Sequence, residues 1–261
     1  MKKEIVNKKD GIVRITTYDE RWYARTTNNK ETGLPEYQFV PSVTWIADFY
    51  PKTIAFYKWL ANKGWDEAES IKATAGDKGS KIHYAICDLI DGKEVKMDDK
   101  YINHTTGQLE ELSVEEYEAI LAFANWFKAI KPKVKSRETT VFNDKEGYAG
   151  TIDLLCEIEG QEWLIDFKTG QNIWPSYEMQ VSAYRRALSE WQGIRMAILQ
   201  VGYKRNKNAY KFTEVADKYE LFLAGKKIWA NECEGQSPKQ RDYPMSVSLK
   251  EIKVVVKKAK K

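Results

Sequence analysis

The sequence predicts an α/β protein, with a central mixed β-sheet, flanking helices and an N-terminal helical layer. Three observations carry this reading. Residues 133–143, 148–158 and 161–168 are apolar or alternating over strand lengths, with short polar breaks between them. The amphipathic stretch WPSYEMQVSAYRRALSEW (174–191) and the mostly apolar run IRMAILQVGYK (194–204) follow, so helix and strand alternate. The first 130 residues, by contrast, read mainly as helices.

In chain order, residues 11–25 form a hairpin turning near Asp19–Glu20, and the polar stretch 26–37 is a loop. Residues 41–64 give two short helices, with Ser42 as N-cap of the first and Pro51 in the first turn of the second. Residues 65–91 are helical with an interruption near Gly76 and Gly79, and Ile82, Ile86 and Leu89 make one apolar stripe. Residues 93–111 are polar and irregular. Ser113 then opens a strong helix with a capping-box Glu116, and Pro132 ends it. After the three strands, the 174–191 helix is halted by Gly193. A short strand near 209–214 and a helix over 216–232 follow the 194–204 strand. The tail from 246 carries one strand-like patch, IKVVV, and reads as a solvated terminus in preference to a DNA-binding arm. The chain is expected to be one domain: 1–130 the helical layer, 131–214 the sheet core, 215–261 a helix and basic tail.

Composition narrows the class. At 43% hydrophobic and 13% aromatic the chain can build a large core. The formal charge of +4 is compatible with a polyanion partner, and it is clustered in KPKVK (131–135), YKRNK (203–207) and KKAKK (257–261). Cys87, Cys156 and Cys233 are scattered and lack CxxC spacing, so they read as free thiols of a reducing compartment. No run reaches the length of a membrane span and the N-terminus lacks a secretory segment, which together suggest a cytoplasmic protein.

The chemistry centres on residues 147–170, GYAGTIDLLCEIEGQEWLIDFKTG, a hairpin with Asp153, Asp166 and Lys168 inside its apolar runs. Side-chain alternation sets Leu164, Asp166 and Lys168 on one face and Trp163, Ile165 and Phe167 on the other. It likewise sets Asp153 with Thr151 and Leu155, opposite Ile152, Leu154, Cys156 and Ile158. A two-residue turn at Glu159–Gly160 pairs Ile158 with Gln161, and counting back puts Asp153 opposite Asp166. Opposed, partly buried like charges destabilise a sheet unless something compensates. A Mg²⁺ or Mn²⁺ ion would, and Lys168 is placed to orient or activate a water or to stabilise phosphate charge. A lone D-x-K triplet is more often an ion pair on a wet face; the apolar WLIDF run and the second carboxylate tip the balance here. Glu138, in SRETTVF (136–142), offers a third carboxylate or an outer-shell partner, or is an exposed strand residue. Gly150 marks either a strand kink or a close backbone approach of substrate.

Gln180 and Tyr184 share a helix face one turn and one helix after D-x-K. GTID (150–153), IDFKTG (165–170), QVSAY (180–184) and the upstream GSKIH (79–83) together resemble the PD-(D/E)XK nuclease superfamily in its RecB-type exonuclease branch. PSVTWIADFYPKTIAFYKW (41–59) is further similar to the leading segment of phage and mitochondrial genome-maintenance exonucleases. The resemblance implies a restriction-endonuclease-like αβββαβ core. It implies that Asp153 and Asp166 bind Mg²⁺ or Mn²⁺ with the Phe167 carbonyl, and that Lys168 positions the attacking water. His83 would complete the metal site or help hold a second ion; otherwise it is an ordinary helix-edge histidine. Gln180 and Tyr184 would hold the active-site face and contact DNA, and Ser42 and Thr44 would touch phosphate.

The implied reaction is metal-dependent hydrolysis of DNA phosphodiesters, on single strands or ends, in recombination, repair or replication. The basic segments would guide the backbone, and Trp45, Tyr57 and Trp59 offer stacking surface, with core packing the plainer reading of Trp45. Three scattered cysteines exclude a Cys₄ iron–sulfur site, and no Walker-type motif is present, so a helicase or a single-strand-binding or annealing protein would be a separate partner. A structure-specific or restriction-like endonuclease, a non-catalytic DNA-binding accessory protein and a small-molecule metal hydrolase are the competing classes.

Overall fold

The computed structural model describes residues 2–7, 11–17, 20–28, 35–233 and 238. The N-terminal strands β1 (Lys2–Asn7), β2 (Ile12–Thr16), β3 (Arg21–Asn28) and β4 (Pro35–Pro41) form an antiparallel sheet in chain order. β2 and β3 are the expected hairpin; Asp19 of its turn lies outside the described residues. Residues 26–28 and 35–37, expected in a loop, instead pair across β3 and β4. Backbone pairing with a neighbour is what makes them strand, and their polar side chains give no sign of it.

α1 (Val43–Ala47) is capped by Ser42, whose hydroxyl accepts from Trp45 N at 3.1 Å. α2 (Ile54–Lys63) begins after Thr53, whose hydroxyl accepts from Phe56 N. Pro51 therefore precedes the helix and is not in its first turn: the Thr53 cap sets the start. α3 (Trp65–Ile90) runs 26 residues without the expected interruption. Each interior glycine costs about 1 kcal/mol against alanine. The docked half beyond Gly79 outweighs that, because Ile82, Ala85 and Ile86 are fully buried. A short hairpin, β5 (Lys100–Ile102) with β6 (Leu109–Glu111), lies in the stretch expected to be irregular. α4 (Val114–Ile130) has the Ser113–Glu116 capping box, and Lys131, in the left-handed region, closes it before Pro132.

The core follows as β7 (Lys133–Asn143), β8 (Tyr148–Ile158), β9 (Gln161–Lys168), α5 (Pro175–Arg186), β10 (Arg195–Val201), β11 (Tyr210–Glu214) and α6 (Tyr219–Cys233). The three strand ranges agree with the sequence reading. α5 ends before the expected residue 191, in a turn where Ala187 N bonds the carbonyls of Ala183 and Tyr184. The IKVVV patch lies outside the described residues. The sheet order is β11-β10-β9-β8-β7, parallel only between β9 and β10. From α4 to β10 the order is αβββαβ, as expected. One sheet face packs on α1, α5 and α6 through Ile152, Leu164, Ile198, Met179 and Phe222. The other packs on α3 and α4 through Leu154, Ile165, Phe167, Ile86 and Phe123. The N-terminal layer thus carries a sheet besides its helices.

α3 is tied to α4 by a buried ion pair. Lys81 Nζ lies 2.9 Å from Glu116 Oε1, with side chains 7% and 5% exposed. Glu116 Oε2 also accepts from Ser113 N at 2.7 Å. Removing one partner of such a pair strands the other charge. Lys81→Ala is expected to cost about 3 kcal/mol or more in urea unfolding. Lys63→Ala, which removes an exposed pair with Glu67, is expected to cost under about 1 kcal/mol.

Candidate active site

The site forms where the β8–β9 ladder opens. Glu159 and Gly160 have φ of 52° and 80°, the backbone of a two-residue type I′ turn. Ile158 pairs with Gln161, and the ladder continues in that register to Leu154 and Ile165. The count reaches Asp153 and Asp166 next, but pairing stops one step short of them. Asp153 Oδ2 instead accepts from Phe167 N at 2.7 Å, an N–H that a continued ladder would give to Ile152. β9 stays in place because β10 holds its other edge, with Ile198 opposite Asp166 and Leu199 opposite Phe167.

The facing of β8 differs from the expected one. Strict alternation puts Ile152 and Leu154 on one face, yet Ile152 is in the α5-side core and Leu154 in the α3-side core. Freed from the ladder, β8 changes its facing at Asp153. The Asp153 carboxylate thereby meets the α3 side, where His83 Nδ1 stands 3.7 Å from Asp153 Oδ1. His83 Nε2 lies 3.3 Å from the Phe167 carbonyl oxygen.

Glu138 joins from β7. Its neighbours Arg137 and Thr139 pair with Leu154 and Ile152, so Glu138 faces Asp153 at the one step the ladder skips. Its φ of 45° is unusual for a strand residue and re-aims the side chain. Glu138 Oε1 lies 3.9 Å from His83 Nδ1. His83, Glu138 and Asp153 each present a ligand atom within 4.8 Å of the others'. Both features that the sequence offered for Glu138 are present: its carboxylate stands in the cluster, and its side chain, 39% exposed, is open to solvent.

Asp166 is 1% exposed and is held by a separate chain of contacts. Lys168 Nζ lies 2.7 Å from Asp166 Oδ2, which is buried and without a well-aligned hydrogen bond. Gln180 Nε2 donates to Asp166 Oδ1 at 3.0 Å and lies 2.9 Å from the Tyr184 hydroxyl. Gln180 Oε1 accepts from Lys168 at 3.4 Å. Gly150 has a third explanation besides the two its sequence context offers. A Cβ there would lie 2.2 Å from Tyr184 Cε1, so the tyrosine ring, not substrate, occupies the space.

Burial pushes the Asp153 carboxyl up to about 7; His83 opposes this, and Asp166 and Glu138 add to it. Burial alone would lower His83, but the Asp153 and Glu138 carboxylates outweigh it and raise the imidazole to about 9. Burial also works against the Lys168 ammonium, yet Asp166 and Asp153 hold it above its ordinary range. Burial, with nearby Tyr23 and Asp166, drives the Tyr184 phenol well above its usual value.

These groups line one cleft of about 710 Å³, together with Thr44, Tyr177, Tyr84, His104, Arg14, Thr16, Arg21 and Tyr23. Asp77 helps shape it by accepting from the backbone of His104 and Thr105, which draws the β5–β6 hairpin onto α3. Gly76 and Gly79 leave bare helix backbone as one wall. The last four residues of that lining, all from β2 and β3, have no functional signal in the sequence beyond alternation in a hairpin. Ser42 caps α1 and, like Trp59, lies outside the cleft. Trp45 packs on Trp22 and Trp229 in the core, the plainer of its two readings. Lys133 and Lys135 of the 131–135 segment pair with Glu157 and Glu162 on neighbouring strands, outside the cleft. Tyr203, Lys204, Asn206 and Lys207 of the 203–207 segment border a second cleft of about 500 Å³ that shares Thr169 with the first.

The chain matches no protein-family model and no curated protein. The cluster of His83, Glu138 and Asp153 offers two carboxylates and one imidazole, with the Phe167 carbonyl beside His83, donors of a kind that a hard divalent ion takes; Asp166, held by Lys168 and Gln180, lies outside that cluster but in the same cleft. Asp153, Glu138, His83 and the Phe167 carbonyl would hold it, with Asp166 joining if it releases Lys168.

A cation held here would compete with a proton for Asp153, whose carboxyl burial pushes up to about 7. Mn²⁺ affinity is therefore expected to rise about tenfold or more between pH 6 and pH 8, with proton release on binding. Calorimetric titration in two buffers of different ionisation enthalpy checks this; because His83, raised to about 9, must also give up a proton to bind, a pH-independent affinity would remove both Asp153 and His83 from the ligand set.

Proposed function

We propose that this chain is a Mg²⁺- or Mn²⁺-dependent deoxyribonuclease, an exonuclease of the PD-(D/E)XK superfamily and its RecB-type branch. Its substrate is single-stranded DNA or DNA ends, in recombination, repair or replication. The observation that carries this reading is convergence: residues from α3, β7, β8, β9 and α5, up to about a hundred positions apart, meet in one cleft. A stability argument alone would not bury two aspartates there, beside a half-buried lysine and histidine.

A bound divalent cation supplies charge for the phosphate and a nucleophile at neutral pH. The protein's own groups do the rest. Lys168 is held charged, so it acts as a donor that orients water or a phosphate oxygen and not as a proton acceptor. Gln180 fixes Asp166 and Lys168 through its two ends, which keeps both side chains in one geometry. Tyr184 stays a neutral hydroxyl and locks Gln180 in turn. Water adds to phosphorus, the bond to the leaving oxygen breaks, and that oxygen takes up a proton. The wall of α3 on one side and the N-terminal sheet on the other suit a strand or an end better than the middle of a duplex.

No helix among the described residues is long and apolar enough to cross a membrane. The reading puts the chain in a cytoplasm, of a bacterial or phage-infected cell, where Cys87, Cys156 and Cys233 remain free thiols. A helicase or a single-strand-binding or annealing protein would work beside it.

The test is digestion of 5′- and 3′-labelled single- and double-stranded DNA, and of circular single strands, with and without Mg²⁺. Linear DNA is expected to be degraded only with the metal, and Asp166→Asn to lose about 100-fold or more of the rate. Wild-type turnover in that variant would sink the assignment, and cutting of the circle would favour an endonuclease.

A further inference from the structure

The N-terminal sheet presents to the cleft a face that packing explains only in part: Ile12 and Tyr23 on it are buried against Ala149, whereas Arg14, Thr16 and Arg21 are half-buried polar side chains. Pairing sets Arg14 against Tyr23 and Thr16 against Arg21. Alternation puts these four side chains on one side of β2 and β3, and all four line the cleft. The opposite side, Val13, Ile15, Trp22 and Ala24, is buried. One apolar face is enough to dock an antiparallel sheet, and on the other Tyr23 packs with Ile12 and Ala149, so a hydrophobic core does not account for the two arginines gathered at the cleft beside them.

Two contacts sharpen the point. The Tyr23 hydroxyl lies 2.9 Å from Thr151 Oγ1, which pins this face to β8 two residues before Asp153. Arg21 Nε is buried and meets no hydrogen-bond partner among the described residues. Arg25, further along β3, is different: it pairs with Asp144 at 2.7 Å and lies over the Phe142 ring, outside the cleft. With a divalent cation against the carboxylates, Arg14, Arg21 and Lys168 add further positive charge to the same space.

We propose that Arg14 and Arg21, with the hydroxyls of Thr16 and Tyr23, form a second phosphate-binding face. It holds a non-scissile phosphate of the DNA strand whose scissile phosphate lies at Asp153 and Lys168, and it rests on the nuclease reading. Guanidinium forks suit phosphate oxygens in pairs, and hydroxyls complete such contacts without reading sequence. The face therefore sets strand register, not base preference.

The experiment measures binding of a fluorescent 12-mer oligodeoxythymidylate to the full chain by anisotropy, with Ca²⁺ present, across a salt series. The Arg14→Gln, Arg21→Gln pair is expected to weaken binding tenfold or more at low salt. Its log–log salt slope is expected to drop by about 0.7 for each phosphate that is no longer neutralised. The Arg14→Lys, Arg21→Lys pair is expected to keep the slope and recover only part of the affinity. Affinity within twofold of wild type and an unchanged slope in the glutamine pair would overturn the face. If that pair does not fold, the lysine pair decides: weaker binding at unchanged slope supports the face, and wild-type affinity overturns it. Wild-type protein that neither binds nor cuts the strand overturns the nuclease reading and the face together. Wild-type cutting with equal binding by the glutamine pair overturns the face alone.

Discussion

Everything at the cleft depends on one hydrogen bond, from Phe167 N to Asp153 Oδ2. It replaces a rung of the β8–β9 ladder with a carboxylate. That exchange lets β8 turn away while β9 stays fixed on β10, and it opens the pocket at the end of β9. Without it, Asp153 would sit against Asp166 in a closed ladder, with like charges opposed and no room for a third group. With it, Asp153 reaches α3, Asp166 reaches α5, and the Phe167 carbonyl faces His83 at 3.3 Å between them. Two helices on opposite faces of the sheet can then each contribute a side chain to one site.

The arrangement is expensive in sheet stability and is supported from outside. α3 stays helical through two glycines because its second half is buried and clamped by Lys81 to Glu116. That clamp sets where His83 stands, one turn from the bare backbone at Gly79. On the other face, Gly150 admits the Tyr184 ring, Tyr184 holds Gln180, and Gln180 holds Asp166 and Lys168. A polar network in a low dielectric is stable only when its members are satisfied. Here the carboxylates of Asp153, Asp166 and Glu138 face only Lys168 and His83 as partnering cations within the network.

Much of this is legible in the sequence. The three strands and their turn follow from alternation and from Glu159–Gly160, and the motif residues His83, Asp153, Asp166, Lys168, Gln180 and Tyr184 do line one cleft. What the sequence hides has a common cause: it depends on departures from regular geometry. The ladder's early end, the φ of 45° at Glu138 and the change of facing at Asp153 leave no periodic signal. Arg14 and Arg21 are invisible for another reason. A wet face on a hairpin looks the same whether it meets solvent or a functional cleft, and only the packing of that sheet against β8 distinguishes the two. Gly76 and Gly79 mislead because propensity is a weak prior once a helix is docked.

The central claim is that a divalent cation completes the opened hairpin. Crystals soaked in Mn²⁺ and measured for anomalous scattering test it most directly. The account predicts one strong peak within coordination distance of Asp153 and the Phe167 carbonyl oxygen, with Asp166 or Glu138 completing the set. No peak there, or a peak only at exposed carboxylates elsewhere, with the Asp153–Phe167 hydrogen bond unchanged, would contradict it.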